Sequence, residues 1–154
     1  MHETPETIAH LQRIIDRSAE TAGPALARNF IGGGWKMSAS EFVAFWGELR
    51  MAAISTTSRN HRVHSAPLDV RLVDGVFHAP AFPDAQRLRD HRANPRCSIV
   101  SWEDAYHAVI VYGDARIQEA APGAMVSVTI TPTRIYAIRA PAGHHAHTPA
   151  QPAP

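Results

Sequence analysis

The sequence predicts a mainly β protein, a closed or nearly closed antiparallel barrel of six to seven short strands with N-terminal helices and one inserted helix. Residues 63–73 alternate between apolar and polar side chains, as a half-buried strand does. Asp74 and Gly75 then form a strong hairpin signal. Further segments rich in Val, Ile and Tyr follow at 97–102, 107–118, 125–131 and 134–139. Closing such strands into a barrel removes exposed edges.

Composition narrows the class of protein. A chain of 154 residues with 45 % hydrophobic residues fits one compact domain. Its 15 basic and 14 acidic side chains nearly balance, which argues against binding nucleic acid through phosphate contacts. No apolar run approaches the roughly 20 residues that span a bilayer. The single cysteine cannot form an internal disulfide, and the first ten residues lack a secretory pattern, so we expect a cytoplasmic protein.

The N-terminal segment, residues 1–37, is predicted to hold a helix and a glycine-rich loop. Ile8, Leu11, Ile15 and Ala19 recur at helical spacing, which predicts a helix over residues 5–22 with Pro5 in its first turn. Residues 25–36 contain three consecutive glycines and no periodicity, so a loop is expected there. The glycine run lacks the lysine and hydroxyl residue of a phosphate-binding loop.

The second unit, residues 38–139, is predicted to be the barrel. Ser38 and Glu41 form a capping box, and Phe42, Phe45, Trp46 and Leu49 then make an apolar stripe that we interpret as core. Strands are expected at 51–57, 63–73 and 76–81, with Ala66, Leu68, Val70 and Leu72 facing the barrel. Asp84 is predicted to cap a helix that runs to about residue 92. The Pro- and Ala-rich residues 140–154 are expected to be a disordered tail.

This ordered series of elements resembles the split barrels of the pyridoxamine 5'-phosphate oxidase-like superfamily, which includes FMN-dependent oxidases and deazaflavin-dependent oxidoreductases. The similarity covers about residues 38–138. The best local match begins where the inserted helix ends and runs through the two strands after it; its residues are Asn94, Pro95, Arg96, Val109, Val111, Gly113, Ala115 and Arg116.

The resemblance implies a cofactor, FMN or a deazaflavin, bound at a homodimer interface. Its ring would lie along the second strand and its phosphate would meet the inserted helix. A guanidinium in the first turn of that helix suits a phosphate, because unpaired backbone N–H groups and the helix dipole also favour an anion there. The residues that correspond to this site are Ser65, Ala66, Pro67, Leu68, Asp69, Ala79, Pro80, Gln86 and Arg87.

The sequence also departs from the family pattern. Family members usually have Ser or Thr just before the basic phosphate ligand and often at the end of the preceding strand, whereas this chain has Ala85 and the series Ala79, Pro80, Ala81. Each lost neutral hydrogen bond is worth about 1 kcal/mol, so two losses weaken phosphate binding about tenfold to thirtyfold unless other groups substitute.

Histidine and cysteine suggest other chemistry. Ten histidines are present, including a cluster in the tail, but no set has the compact spacing of a zinc site, so no specific metal is expected. We interpret Cys97 as a small buried side chain. His64 lies on the barrel-facing side of its strand, where a histidine is more often a satisfied core or interface residue than a catalyst.

The leading functional hypothesis is therefore an oxidoreductase in which a bound flavin or deazaflavin carries a hydride to or from a small organic substrate. No nucleophile with a base and an orienting residue can be assembled from the sequence, and cofactor chemistry needs few catalytic side chains. The alternatives are a non-catalytic flavin or small-ligand carrier or sensor on the same fold, and an interaction module that keeps only the dimer. We expect a homodimer because Pro67 lies on the face away from the core, where a partner would cover it.

Overall fold

The computed structural model describes residues 3–28, 34–104, 107–118 and 121–141, and within them the chain forms four helices and six strands. The mainly β class and the barrel are confirmed. The helices are α1 (Pro5–Glu20), α2 (Pro24–Ala27), α3 (Ala39–Trp46) and α4 (Gln86–Ala93). The strands are β1 (Arg50–Thr57), β2 (Val63–Val73), β3 (Val76–Ala81), β4 (Arg96–Asp104), β5 (His107–Gln118) and β6 (Val126–Arg139).

The strands close into a barrel in the order β1-β2-β3-β6-β5-β4, and every neighbouring pair is antiparallel. Closure is made by β1 and β4, where Ala53 lies opposite Val100 and Thr56 lies opposite Cys97. The inserted helix α4 connects β3 to β4. It therefore lies next to the pair of strands that closes the barrel, and it contacts β1 and β5.

The predicted alternation of β2 is confirmed where the strand enters the core. Val70 and Leu72 are buried inside the barrel, whereas Asp69 and Arg71 point outward. The hairpin to β3 is also confirmed: Asp74 and Gly75 have φ angles of 52° and 75°, as a two-residue turn of the mirror-image type requires. A Cβ on Gly75 would lie 3.0 Å from Thr7 Cγ2, so this turn packs directly against α1.

The N-terminal helices cover the barrel. Leu11 and Ile15 of α1 are fully buried, and the Ser18 hydroxyl accepts a 3.0 Å hydrogen bond from the backbone N–H of Ile135 on β6. The predicted capping box at Ser38 is present, and the indole of Trp46 donates to the backbone oxygen of Val70 at 3.2 Å. These bonds join α1 to β6 and α3 to β2, two strands that are separated by β3 in the barrel.

Three boundaries differ from the prediction. Helix α1 ends two residues earlier than expected, and α2 lies within the expected loop. The apolar stripe after Ser38 stops at Trp46 because α3 ends at Gly47, which has a φ angle of 64°; Leu49 is consequently exposed rather than part of the core. A helix that ends early no longer places the next apolar residue on its buried side.

The two strands expected at 125–131 and 134–139 are one continuous strand, β6. Pro132 lies opposite Gly113, where the register of β5 and β6 shifts between Tyr112 and Gly113. A proline cannot donate to the ladder, and such a residue is accommodated at a bulge. The strand therefore continues through Pro132 instead of breaking there.

Asp84 does not cap α4. The N-cap residue is Ala85, whose side chain makes no capping bond, and the backbone N–H of Ala85 instead donates to the oxygen of Phe82 at 3.0 Å. Pro83 and Asp84 are thus the central residues of a tight turn, a position that proline favours. The start of α4 is left without a side-chain cap.

Several expectations fall outside the described residues. Gly32 and Gly33 of the glycine run and residues 142–154 of the tail belong to this group. Among the helices that the structure describes, none is long and apolar enough to cross a membrane.

The bulge at Gly113 gives a test of the barrel. A Cβ at this position would lie 2.5 Å from the backbone oxygen of Thr131 and 2.8 Å from a methyl carbon of Ile130. Backbone cannot move aside cheaply, so we expect Gly113→Ala to lower the free energy of unfolding by about 1–3 kcal/mol in urea denaturation. Gly23→Ala is the matched control, because its Cβ meets nothing within 4 Å. Equal stability of the two variants would contradict the packing at the bulge.

Candidate functional site

The carboxylate of Asp90 on α4 is the most completely buried charged group in the described part of the chain, with 1 % of the residue exposed. Its Oδ2 atom accepts from the Thr56 hydroxyl at 2.7 Å and lies 2.8 Å from Nδ1 of His64. Its Oδ1 atom accepts from the side-chain amide of Gln86 at 2.8 Å. Three donors from β1, β2 and α4 therefore surround one carboxylate.

These donors decide the protonation state of Asp90. Burial alone would raise its pKa, but the hydrogen bonds from Thr56, Gln86 and His64 outweigh burial, and the pKa of Asp90 is held below its usual value. The group is thus a carboxylate at neutral pH. Its hydrogen bonds with Thr56 and His64 hold α4 against β1 and β2.

His64 is oriented by this carboxylate. A carboxylate can only accept hydrogen bonds, so Nδ1 of His64 carries the hydrogen and Nε2 is the ring nitrogen available to accept or take up a proton. The His64 side chain is 40 % exposed, so the ring connects the buried carboxylate to the surface. His64 shares one side of β2 with Ala66 and Leu68, as expected, and its ring there meets Asp90 of α4.

Arg87 lies in the first turn of α4, where a cofactor phosphate was expected. One guanidinium nitrogen, Nη2, donates to the backbone oxygen of Pro80 at 2.7 Å. Its Nε atom is buried and has no hydrogen-bond partner among the residues that the structure describes. Burial lowers the pKa of Arg87, since removal from water disfavours the charged form.

His91, one helical turn after Arg87, shows the same feature. The residue is 5 % exposed, and its Nδ1 atom finds no partner within the described ranges. Burial lowers the pKa of His91; the charge of Asp90 opposes this shift and the charge of Arg87 adds to it. His91 is therefore neutral at pH 7, and the pair presents two unsatisfied nitrogens on one side of α4.

This end of α4 fits an anionic group in part. The backbone N–H of Leu88 donates to the oxygen of Ala85 at 3.1 Å, which leaves the first-turn N–H groups of Gln86 and Arg87 without an acceptor within the helix, and Ala85 offers no side-chain cap. The unpartnered Nε of Arg87 adds a charged donor. Gln86 is less suited, because its amide nitrogen is held by Asp90 and its oxygen accepts from Arg89 at 2.6 Å. A phosphate would therefore be held by Arg87 and the backbone rather than by Gln86.

The predicted ring-side residues of β2 divide between its two faces. Ser65, Pro67 and Asp69 point outward, and Ala66 and Leu68 point toward the barrel interior. A single ring cannot lie against both sets of side chains. Only the outward set faces the surface of the barrel, where the Ser65 hydroxyl is hydrogen-bonded to that of Ser55 at 2.7 Å.

Three of the predicted residues, Asp69, Ala79 and Pro80, line one cavity of about 430 Å³, which we call the strand cavity. It lies where β2, β3 and the start of β6 meet. Besides those three, its lining includes Leu49, Arg71, His78 and Met125. Because Arg87 donates to the oxygen of Pro80, the start of α4 adjoins this cavity.

Five apolar side chains are exposed on the outward side of β1, β2, β4 and β5, beside polar residues such as Ser65. Met51, Val63, Trp102 and Tyr112 are all exposed there, together with Pro67. The strands are neighbours, with Ala53 opposite Pro67 on one side and Val100 on the other. We call these five exposed residues the apolar sheet face.

Other reactive groups are accounted for by packing. Cys97 is buried, as predicted, and burial, with a smaller contribution from Asp114, raises the pKa of its thiol to about 12. The thiol is therefore protonated and unreactive at neutral pH. Among the described residues, no three His, Cys, Asp or Glu side chains come together as metal ligands would.

Comparison of the structure with solved proteins finds similar barrels. A pyridoxamine 5'-phosphate oxidase candidate from Listeria innocua has a TM-score of 0.58 at 12 % identity, covering 64 % of this chain and 95 % of its own. An F420 reductase has a TM-score of 0.53 at 12 % identity, covering 60 % of this chain and 94 % of its own. The heme storage protein HutZ from Vibrio cholerae has a TM-score of 0.56 at 12 % identity, covering 64 % and 93 %.

The chain has the pyridoxamine 5'-phosphate oxidase-like split-barrel fold. No family model and no curated protein matches its sequence. At these identities the likeness to the other split barrels is one of fold, and this fold hosts proteins whose names refer to different ligands. What this split barrel binds must be argued from its own residues.

Sequence reasoning missed the Asp90 network. Thr56 lies 34 residues before Asp90 in the sequence and His64 lies 26 residues before it, and no local pattern joins the three. One signal was present: Asp90 is a carboxylate at a helix position that turns toward the barrel, four residues after Gln86. A charged residue on the core side of a short helix indicates a buried partner.

The network predicts an effect on stability. Asp90→Ala removes the acceptor of three hydrogen bonds, of which the one from Thr56 is buried, so we expect the free energy of unfolding to fall by about 1–3 kcal/mol at pH 7 in urea denaturation. Because the folded-state pKa of Asp90 is lowered, its contribution is complete above the unfolded-state value of about 3.9 and is lost as pH falls through the folded-state pKa.

The difference in stability between wild type and Asp90→Ala should therefore shrink below about pH 4, near the ordinary pKa of an aspartate. Asp84→Ala is the control, since this exposed residue lies one position before the N-cap, and its effect should stay within about 0.5 kcal/mol. A gap between wild type and Asp90→Ala that is unchanged at pH 3 would show that the carboxylate charge does not stabilise the fold.

Proposed function

We propose that this split barrel is an FMN- or deazaflavin-dependent oxidoreductase that transfers a hydride to or from a small organic substrate. The observation that carries the proposal is the half-buried side chain of Arg87 at the start of α4, which has no side-chain cap; the buried Nε of Arg87 has no partner among the described residues. An anionic group of a ligand would accept hydrogen bonds both from Arg87 Nε and from the free backbone N–H groups at the start of α4. The F420 reductase and the pyridoxamine 5'-phosphate oxidase candidate on the same fold support a cofactor of this class.

The residues of this chain would bind and orient the cofactor. Arg87 and the first-turn N–H groups of α4 would hold its phosphate, and the strand cavity, with Asp69, Ala79 and Pro80, extends from that point along β2 and β3. A bound ring of this kind supplies the hydride chemistry, so the protein needs no nucleophile of its own. The buried and protonated Cys97 is consistent with that division of roles.

We also propose that the protein is a homodimer formed through the apolar sheet face. Monomeric proteins rarely leave a large contiguous apolar patch in water, and such patches mark interaction sites. Met51, Trp102 and Tyr112 are of the residue types enriched in interfaces. Ser65 and Pro67 lie on the same face, so a partner would cover the outward residues of the proposed ring-side strand.

A non-catalytic flavin or small-ligand carrier or sensor is the second candidate. The alanines at 79, 81 and 85 remove hydroxyl donors, and Gln86 is already engaged by Asp90 and Arg89. Both features lower the expected affinity of this site for a phosphate group. The heme storage protein HutZ has the same fold, which supports ligand storage as a role for such a barrel. Turnover of reduced cofactor with quinones or nitro compounds would separate the two candidates.

The proposed site predicts the effect of Arg87. Titration of FMN, and separately of the deazaflavin, into Arg87→Ala should show a loss of about 1.5–3 kcal/mol of affinity relative to wild type, the scale of a hydrogen bond to a charged group. Arg87→Lys should recover part of the affinity, since lysine keeps the charge and loses the fork. Fluorescence quenching of the cofactor measures the binding.

Riboflavin, which lacks the phosphate, is the matched control ligand. Its affinity should change little between wild type and Arg87→Ala if Arg87 binds the phosphate. Equal FMN affinity for both proteins would remove Arg87 from the site. Absence of binding of either cofactor to wild type would reject the oxidoreductase and favour another ligand.

The apolar sheet face gives a test of assembly. Light scattering at micromolar concentration should show a dimer for wild type, and Trp102→Arg should shift the mass to that of a monomer, because a guanidinium at a dry interface is left unpaired. Glu20→Arg, an exposed position on α1, which packs on β6, should leave the dimer intact. A monomeric wild type would contradict the proposed interface.

A further inference from the structure

A second cavity lies between the turn that joins β1 to β2 and the inserted helix α4. It has a volume of about 510 Å³, within the range of small-molecule sites. The turn contributes Arg59 and Asn60, and α4 contributes Gln86, Arg89, Asp90 and Arg92. We call it the basic cavity, because three of these six side chains are guanidinium groups.

Guanidinium groups outnumber carboxylates by three to one in the lining of the basic cavity. Asp90 is the carboxylate in its lining, and both of its oxygens already accept hydrogen bonds from Thr56, His64 and Gln86. Arg89 bonds to neutral acceptors, the side-chain oxygen of Gln86 and the backbone oxygen of Asp84. Two cationic side chains held near each other without a counter-ion repel, and an anion between them removes that repulsion.

Arg59 is the clearest open donor. It makes no hydrogen bond or ion pair to any residue in the described ranges. The turn that carries it is nevertheless ordered by two backbone hydrogen bonds of 2.9 Å. The N–H of Ser58 donates to the oxygen of Arg62, and the oxygen of Ser58 accepts from the N–H of His61. The Asn60 side-chain oxygen accepts from the Ser58 hydroxyl, which leaves the Asn60 amide N–H groups as donors. The turn thus presents donors on a fixed backbone.

The wall of the basic cavity that α4 forms is also held in place by hydrogen bonds. Gln86 holds Arg89 by two bonds, from Nη2 at 2.6 Å and from Nε at 3.1 Å, so the guanidinium is fixed before any ligand arrives. Gln86 is itself held by Asp90. A preorganised donor loses less conformational entropy on binding than a free arginine does. The basic cavity therefore has one fixed wall and one ordered turn, both rich in donors.

This cavity is separate from the position of Arg87. Successive residues of an α-helix are rotated by about 100°, so Arg87 and His91 share one side of α4, whereas Gln86, Asp90 and Ala93 share another. Arg87 is not among the residues that line the basic cavity, and its guanidinium bonds to Pro80 at the end of β3. Two anion positions can therefore be occupied independently on one helix.

We propose that the basic cavity binds a small polyanion, a molecule with two or more phosphate or carboxylate groups, between Arg59 and Arg89. Such a ligand is distinct from the cofactor phosphate at Arg87 and would be an anionic substrate or effector of the protein. Bidentate contact between guanidinium groups and oxyanions gives the geometric selectivity, and Asn60 supplies a neutral donor. Phosphate and carboxylate groups share this chemistry.

Isothermal titration calorimetry at constant ionic strength tests the proposal with three probes: pyrophosphate, citrate and inorganic phosphate. Wild type should bind one equivalent of pyrophosphate or of citrate more tightly than inorganic phosphate, and the preference between the first two identifies the oxyanion. Arg59→Ala and Arg89→Gln should each weaken that binding at least tenfold, with the double variant weakened further. Arg59→Ala removes no hydrogen bond or ion pair to a residue that the structure describes, so its melting temperature should equal that of wild type.

Two controls make the result specific. Arg13→Ala removes an exposed charge from α1, which packs on β6, and should leave pyrophosphate and citrate affinity unchanged. Arg87→Ala should also leave it unchanged, although it weakens FMN binding. Loss of polyanion binding in Arg87→Ala but not in Arg59→Ala would place the anion at the cofactor position and overturn the proposal. So would the absence of saturable binding of all three probes to wild type, whether or not FMN binds.

Discussion

The carboxylate of Asp90 is the interaction on which the arrangement of this split barrel depends. It joins the inserted helix α4 to Thr56 on β1 and to His64 on β2, at the seam where β1 and β4 close the barrel. Burying a carboxylate is unfavourable unless its oxygens are fully hydrogen-bonded, and here three donors satisfy them. Removal of any one of these donors would leave a charge that water does not reach. The orientation of α4 is therefore fixed by polar contacts as well as by Leu88, which is fully buried.

Because α4 is held in this orientation, each side of this eight-residue helix has different surroundings. Leu88 points into the core, and Gln86 and Asp90 face the strands. Arg87 and His91 are left with buried nitrogens that lack a partner in the described structure, and Arg89 is held by Gln86 at the basic cavity. The helix has no acidic residue in its first turn and no side-chain cap. One element thus concentrates positive charge and free donors at two places, while its single carboxylate is used internally.

The sequence was sufficient for the fold where local patterns decide it. Alternation located β2, the Asp74 and Gly75 pair located the hairpin, and the Ser38 capping box located the start of α3. Predictions were wrong where a distant partner decides. The continuity of β6 through Pro132 depends on Gly113 across the sheet. The start of α4 is a local error, because the tight turn from Phe82 to Ala85 moves the N-cap past Asp84. The candidate site was predicted at Arg87 from a helix start, but the Asp90 network and the basic cavity combine residues more than 25 positions apart, which no local pattern reveals.

The unsatisfied groups of α4 bear on whether the barrel is a ligand-binding protein or only a scaffold. A buried, unpartnered donor such as Arg87 Nε destabilises a fold by about 1–3 kcal/mol. A scaffold without a ligand gains nothing from such groups, since an aliphatic side chain would pack at the same position without the penalty. The same chain satisfies the carboxylate of Asp90 completely, so incomplete satisfaction is not a general property of this helix. Within α4 the unpartnered nitrogens are confined to the side that carries Arg87 and His91, as an anion-binding site there requires, whereas the buried Nε of Arg139 on β6 belongs to a guanidinium that already pairs with Glu41.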